Sequence, residues 1–168
     1  MKLIQIVAAA VVAVSLAACT DATDGSGGAG LGGLTSGVAP SNAVDRGSLA
    51  YFTATVGDRV FFDTASSTLN TAAQSTLNLQ AQWLQQFSDR TLTLQGHADE
   101  RGTREYNLAL GARRAQAAFD YLVAQGVSPS RINTVSFGKE RPVELCSDES
   151  CWAVNRRTVT VIAGGVGS

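Results

Sequence analysis

The residues most able to do chemistry lie close together in one segment, GHADERGTREYN, at positions 96–107. It contains the only histidine of the chain, His97, and the carboxylates Asp99 and Glu100 follow closely. Such groups could serve in acid–base catalysis, in metal binding or in recognition of a charged ligand. Charged residues make up only 16% of the whole chain, so this cluster is the first place to look for a site.

The segment lacks further groups that catalysis or metal binding would need. A hydrolase requires a nucleophile with an oxyanion hole, and the sequence has no G-x-S-x-G motif. A glycosidase requires two carboxylates facing each other across a cleft, whereas Asp99 and Glu100 are neighbours. Known metal-binding loops show a histidine pair four residues apart or alternating oxygen ligands, and this segment has neither pattern. Two simpler interpretations stay open: a solvated turn, and a structural His97 whose ring bonds to backbone groups.

Residues 1–18 have the pattern of a secretory signal. Lys2 is followed by an apolar run that ends in LAAC, and such a run is too short to span a membrane. LAAC is similar to a bacterial lipobox, whose cysteine, here Cys19, becomes the lipidated first residue of the mature chain. Because Thr20 follows Cys19, and not an aspartate, the resemblance to bacterial lipoproteins implies anchoring in the outer membrane.

Residues 19–48 are predicted to be the lipidated N-terminus and a flexible tether. Seven of the thirteen residues at positions 25–37 are glycine. Such a segment buries too little apolar surface to offset its conformational entropy. The folded domain is therefore expected to cover residues 49–166.

Cys146 and Cys151 lie in the short segment CSDESC, and we expect them to form a disulfide. Export implies an oxidising compartment, in which cysteines pair. The alternative is a metal site, which two thiols without a third or fourth ligand nearby would make poorly. The sequence therefore predicts no metal, and no cofactor other than the lipid on Cys19.

Alternating apolar residues and turn residues predict the strands. The first strand, over residues 50–56, is joined by a hairpin turn at Gly57 and Asp58 to a buried strand over residues 59–62. Further strands are predicted over residues 90–96, 131–138 and 156–163.

Apolar residues three or four apart predict two helices. The first covers residues 70–87, and the second begins at the N-cap Thr103 and ends at Gly126, with Pro129 beyond it. The predicted apolar stripe of the second helix is Leu108, Ala112, Ala115, Phe119 and Leu122. Two helices with one stripe each can cover one face of a single sheet, which predicts a two-layer α/β sandwich.

Four motifs of the chain resemble the OmpA-like peptidoglycan-binding domain. They are FFD at 61–63, GHADERGTREYNLALGARRA at 96–115, VSFGKERPV at 135–143 and NRRTV at 155–159. Their order and spacing match over the whole of the predicted folded part. The resemblance implies an α+β fold, β-α-β-α-β-β, in which a mixed sheet carries two helices on one face. The CSDESC segment is not a general feature of that fold.

The resemblance implies a binding site for the stem peptide of the bacterial cell wall, at its meso-diaminopimelate residue. In the family, the acid of the GH-A/T-D motif, here Asp99, meets a ligand amine, and a helix arginine fifteen residues later, here Arg114, meets a ligand carboxylate. One fixed anion and one fixed guanidinium can read both ends of this zwitterion. Alanine at either position is expected to abolish wall binding and to leave the domain folded. Further candidates for contact with the ligand are Asp63, Gly96, His97, Ala98, Asn107 and Arg157.

The resemblance also implies what the whole chain does. It implies a non-enzymatic outer-membrane lipoprotein that faces the periplasm, binds peptidoglycan noncovalently, and supports membrane integrity and invagination during division. TolB, which would compete with the wall for an overlapping surface, and TolA are the implied protein partners. A lipoprotein outside the Tol system, a wall-degrading enzyme, and a stator- or porin-linked domain remain as alternatives. Nucleic acid is not an expected partner, because the formal net charge is only −1.

Overall fold

The computed structural model of the chain describes residues 45–163, which all belong to one compact unit. The predicted signal over residues 1–18, the lipidation site Cys19 and nearly all of the predicted tether lie outside the described residues. Within the described range, no helix combines the length and the apolar character that a membrane span requires.

The described strands form one mixed sheet of four: β1 Arg59–Phe61, β2 Thr91–His97, β3 Ile132–Gly138 and β4 Arg157–Ala163. Their order across the sheet is β1-β4-β2-β3. β4 therefore lies between β1 and β2 and runs antiparallel to both, whereas β2 and β3 run parallel. The first and last strands of the sheet are therefore neighbours, with β1 at the edge and β4 inside it.

The α-helices of the described residues are α1 Leu49–Tyr51, α2 Thr71–Gln86, α3 Arg104–Ala124 and α4 Glu149–Asn155. α2 and α3 begin as predicted, because the side chains of Asn70 and Thr103 accept hydrogen bonds from backbone N–H groups of the first turn. Both helices share one hydrophobic core with the sheet, in which Leu77, Leu92 and Leu122 are fully buried. The predicted two-layer α+β sandwich is confirmed.

The predicted strand over residues 50–56 and its hairpin are wrong, because this segment is helical. Ser48 caps α1 through its side chain, and a π-helical turn, Phe52–Gly57, continues the helix. Phe52 and Val56 are both buried. Residues four apart share one side of a helix as well as one face of a strand, so the apolar pattern fits both.

The predicted apolar stripe of α3 is wrong in its first two turns. Leu108 is 49% exposed and Ala112 is exposed as well. The cause is a close approach of α3 and β2 at Gly96 and Gly111, where a Cβ atom on Gly96 would collide with the carbonyl group of Gly111. This approach turns α3 so that Arg114 points into the molecule, where the sequence pattern had placed it beside the stripe.

Along the chain, α4 comes between β3 and β4, where the sequence predicted only a loop. The side chain of Asp148 begins the helix by accepting hydrogen bonds from the N–H groups of Ser150 and Cys151. Cys151 is bonded to Cys146, with the two Cα atoms 5.7 Å apart, so the predicted disulfide is confirmed. Both sulfur atoms are used in that bond, so neither is a free thiolate of the kind that the alternative metal site would need.

Candidate ligand-binding site

The candidate site lies where three distant parts of the chain meet at one end of the sheet. β1 and β2 end there, and antiparallel β4 begins between them. Phe61 accordingly pairs with Arg157, and Gly96 pairs with Thr158. The register of the sheet thus brings the segment after β2, which carries Asp99, next to the start of β4.

Asp99 is a buried carboxylate held by two arginines. Arg101 donates to it from Nη2 at 2.7 Å, from Nε at 3.3 Å and from its backbone N–H at 3.1 Å. Arg156 donates from Nη1 at 3.5 Å. Burial acts to raise the pKa of Asp99, but the hydrogen bonds from Arg101 and then Arg156 outweigh it, so the pKa lies below its ordinary value. Asp99 is therefore ionised at neutral pH.

Arg114 is fully buried, and its guanidinium holds three backbone carbonyls. Nε donates to Ser66 at 2.8 Å, Nη1 donates to His97 at 2.9 Å, and Nη2 donates to Asp63 at 3.1 Å. Burial lowers the pKa of Arg114 to about 10, and the negative charge of Asp99 acts in the opposite direction. Arg114 remains charged at neutral pH, and it ties the segment after β1 to the end of β2.

A pocket of about 230 Å³ opens beside Asp99. Its lining includes Thr64, Ala65, Asp99, Arg101, Tyr106 and Asn107. The side chain of Arg101, which lines this pocket, is 39% exposed. Of the two residues first assigned to the ligand, the structure brings Asp99 to the pocket and keeps Arg114 buried next to it, bonded to backbone.

Three of the further candidates take part through their backbone. Gly96 packs directly against Gly111 of α3. The N–H of Ala98 donates to the carbonyl of Gly138 at 2.8 Å, and the carbonyl of Asp63 accepts from a buried guanidinium. These residues build the frame of the site.

Asn107 and Arg157 are buried and hold local structure. Asn107 is 1% exposed, and its Nδ2 donates to the carbonyl of Arg101 at 2.8 Å, which fixes the loop beside the pocket. Arg157 is 6% exposed and donates to the carbonyls of Asn155 and Arg141. Asn107 also lines the pocket, so it is the one of the two that a bound molecule could touch.

His97 is buried with its ring beside that of Phe137, at 5.5 Å between centroids. Burial, followed by the positive charges of Arg157 and Arg141, lowers the pKa of His97 to about 4. The ring is therefore neutral at neutral pH. Neither ring nitrogen has a hydrogen-bond partner among the described residues, so the expected ring-to-backbone bonds are wrong. The solvated-turn interpretation fails for His97 and Asp99, which are buried, whereas Glu100, Arg101 and Gly102 of the same segment are exposed.

The side chains that α4 adds to the site were not predicted from the sequence. Both arginines that contact Asp99 touch this helix. The guanidinium of Arg101 lies over the ring of Trp152, 4.1 Å from its centroid, and Arg156 is bonded to the carboxylate of Glu149. The available signal was an aspartate followed by a glutamate, which is typical of a helix start.

The mixed sheet, the two helices on one face and the acidic motif after the second strand define a domain of the OmpA type. The sequence model of the OmpA family matches residues 61–156, more than half of the chain, and the chain therefore belongs to the OmpA family.

The particular members of the family to which the chain is similar are named peptidoglycan-associated lipoprotein. The one from Mesorhizobium japonicum is 54% identical over 144 residues, which cover 80% of this chain and 86% of the relative. The one from Rhizobium meliloti is 58% identical over 128 residues, which cover 76% of this chain and 72% of the relative. The resemblance predicted from the motifs is confirmed.

Solved structures agree with the sequence relatives. The peptidoglycan-associated lipoprotein from Burkholderia pseudomallei matches with a TM-score of 0.63 at 41% identity, over 66% of this chain and 95% of that one. The C-terminal domain of Helicobacter pylori MotB matches with a TM-score of 0.61 at 20% identity, over 65% of this chain and 86% of that one. The second likeness shows the shared fold alone.

Proposed function

We propose that this chain is an outer-membrane lipoprotein that binds peptidoglycan noncovalently and so links the outer membrane to the cell wall. Its membership of the OmpA family and the name of its relatives support this function. The observation that carries the proposal is an ionised carboxylate, Asp99, on the wall of a pocket in a chain of this family. The proposed chemistry is recognition of the wall without turnover.

The proposed ligand is the diaminopimelate residue of the stem peptide. The far end of its side chain carries an ammonium and a carboxylate, a zwitterion that lysine lacks. Asp99 accepts the ammonium, and the family resemblance assigns the carboxylate to Arg114. Three of the five N–H groups of Arg114 bond to backbone within the described residues, so two remain for a ligand. Because Arg114 is fully buried, this contact requires neighbouring groups to move.

Membrane attachment is proposed through the N-terminal residues. Removal of residues 1–18 leaves Cys19 as the lipidated first residue, and several acyl chains anchor more firmly than one. The tether, up to residue 48, then holds the domain of residues 49–166 near the wall. A tethered domain experiences a high effective concentration of its ligand, so modest intrinsic affinity suffices.

The proposed partners are TolB and TolA of the Tol-Pal system, in which the chain would support membrane integrity and invagination during division. TolB would compete with the wall for a surface that includes the pocket beside Asp99. The alternative is a wall-anchoring lipoprotein outside that system. Capture of TolB by the purified chain, and its displacement by soluble wall fragments, distinguishes the two.

Sedimentation with purified sacculi tests the wall-binding function. A soluble mature chain carrying Cys19→Ser should sediment with sacculi, and Asp99→Asn should lower the bound fraction by roughly tenfold or more, because a ligand ammonium loses its counter-charge. Asp120→Asn on the exposed face of α3 is the matched control and should bind like the parent.

Two results would contradict the proposal. Equal sedimentation of the parent and Asp99→Asn, with both variants folded by circular dichroism, would remove Asp99 from the site. Continued release of soluble fragments from the sacculi would favour the wall-degrading enzyme over a binding protein.

A further inference from the structure

We propose that Arg101 is a further ligand-binding residue, which takes a free carboxylate of the wall peptide, and that Trp152 positions it. This inference rests on the proposed function, since it concerns the same ligand. The starting observation is accessibility. Arg101 lines the pocket with 39% of its side chain exposed, whereas Arg114 is fully buried. A molecule that enters the pocket therefore reaches the guanidinium of Arg101 first.

Arg101 and Asp99 form an ion pair on the wall of the pocket. Nη2 lies 2.7 Å from Oδ2, and Nε lies 3.3 Å from Oδ1. A zwitterionic ligand can exchange this pair for two new ones, its ammonium on Asp99 and its carboxylate on Arg101. No charge is left without a partner in this exchange, which offsets the cost of removing water from both groups. An ammonium without a carboxylate would displace Arg101 from Asp99 and leave the guanidinium unpaired.

Trp152 keeps Arg101 at the pocket. The guanidinium carbon lies 4.1 Å from the centroid of the indole ring. Contact through the face of the guanidinium leaves its N–H edge available for hydrogen bonds in its own plane. The indole N–H donates in turn to Oε1 of Glu100 at 3.2 Å, which fixes the ring. Arg101 is thus held with little freedom to lose when a carboxylate binds.

The position of Trp152 depends on cross-links, because α4 has only seven residues and such a short helix is not stable alone. Cys151 is 6% exposed and is bonded to Cys146 in the preceding loop. Glu149 of the same helix bonds to Arg156, the second arginine on the site carboxylate. The disulfide therefore holds the helix on which both arginines depend.

Two matched peptides test the role of Arg101. The tripeptide L-Ala-γ-D-Glu-meso-diaminopimelate, with its terminal side-chain carboxylate free or amidated, is titrated calorimetrically into the soluble mature chain carrying Cys19→Ser. The parent should prefer the free carboxylate by roughly tenfold or more. Arg101→Gln should lose most of this preference, whereas Arg113→Gln, an exposed arginine of α3, should keep it. A full preference in Arg101→Gln overturns the inference.

The positioning role of Trp152 is tested by the same ratio of affinities. Trp152→Phe keeps an aromatic face for Arg101 and should retain the preference, and Trp152→Ala should lower it. The double variant Cys146→Ser, Cys151→Ser should lower it as well. Thermal unfolding of each variant identifies the folded fraction, for which the affinities are corrected. If Trp152→Ala keeps the parent's ratio of affinities for the two peptides, Trp152 does not position Arg101. If the double variant keeps that ratio, the disulfide does not contribute to the positioning.

The inference and the proposed function fail in different ways. A parent chain that binds neither peptide and does not sediment with sacculi would overturn both. A parent that binds the free peptide, together with an Arg101→Gln variant of equal preference, would overturn the inference alone and leave Arg114 as the residue that reads the carboxylate.

Discussion

At the scale of single residues, Asp99 and Arg114 show two ways of burying a charge. Asp99 meets two guanidiniums, while Arg114 meets uncharged backbone carbonyls. The position of Asp99 directly after a strand could be predicted from its motif. Its partners Arg101 and Arg156 could not, because the choice among several arginines is made by tertiary packing. The burial of Arg114 was also beyond the sequence, since a charged side chain is ordinarily expected at a surface.

Arg114→Ala is expected to destabilise the domain, contrary to the expectation from sequence that it would leave the fold intact. The substitution removes a charged donor from three backbone carbonyls, one of them in a buried bond, and opens a cavity, which should cost about 3 kcal/mol or more of unfolding free energy. Arg113→Ala on the exposed face of α3 should change it by less than about 0.5 kcal/mol. Urea unfolding of both variants measures the difference, and equal stabilities would contradict the structural role of Arg114.

Acid is expected to destabilise the domain through His97. Its pKa is about 4 in the folded state and about 6.5 in an unfolded chain, so the unfolded state binds a proton that the folded state does not. The free energy of unfolding should therefore fall as the pH drops from about 6.5 to about 4, by at most about 3 kcal/mol, with no contribution above pH 7.

His97→Phe removes this proton site and keeps a ring beside Phe137. Urea unfolding of the parent and the variant between pH 7.5 and 4.5 separates His97 from the carboxylates, which titrate in both chains. The parent should lose stability relative to the variant as the pH falls. If the unfolding free energies of the parent and the variant change with pH in parallel, His97 is free to take up a proton in the folded state.

At the scale of elements, capping and periodicity predicted α2 and the start of α3 well. The segment before β1 was misjudged, because Phe52 and Val56 fit a strand and a helix equally, and the cap at Ser48 decided between them. The buried face of α3 was misjudged for another reason. It is set by the contact of Gly96 with Gly111. An apolar stripe is identified from side chains, and glycine has none, so the pattern could not show this contact.

Gly96→Ala is expected to separate α3 from β2. The added methyl group meets the carbonyl of Gly111, and neither backbone can yield without moving its element, so about 2 kcal/mol or more of stability should be lost. Binding to sacculi should weaken too, because Asp99 follows this contact closely. Gly57→Ala, away from the pocket, is the comparison. Because the φ of Gly57 is +90°, this variant should lose about 1 kcal/mol of stability and bind sacculi like the parent. Equal losses in the two variants would contradict the close packing.

At the scale of the whole molecule, the order of elements was enough to predict a two-layer sandwich. The order of strands across the sheet was not, since periodicity shows which residues are buried and not which strands pair. The mixed character of the sheet came from the resemblance to the OmpA-like domain, and the structure bears it out. The pocket depends on that strand order, because only β4, placed between β1 and β2, brings Arg156 to Asp99.

The placement of β4 between β1 and β2 has a consequence for folding during synthesis. The strand that completes the sheet is the last to leave the ribosome, and its first residues pair with strands made much earlier, as at Phe61 and Arg157. Contacts between such remote positions slow folding. A nascent chain stalled, or a gene truncated, before Arg156 yields a polypeptide that lacks β4 and one of the two arginines on Asp99, and has no finished pocket.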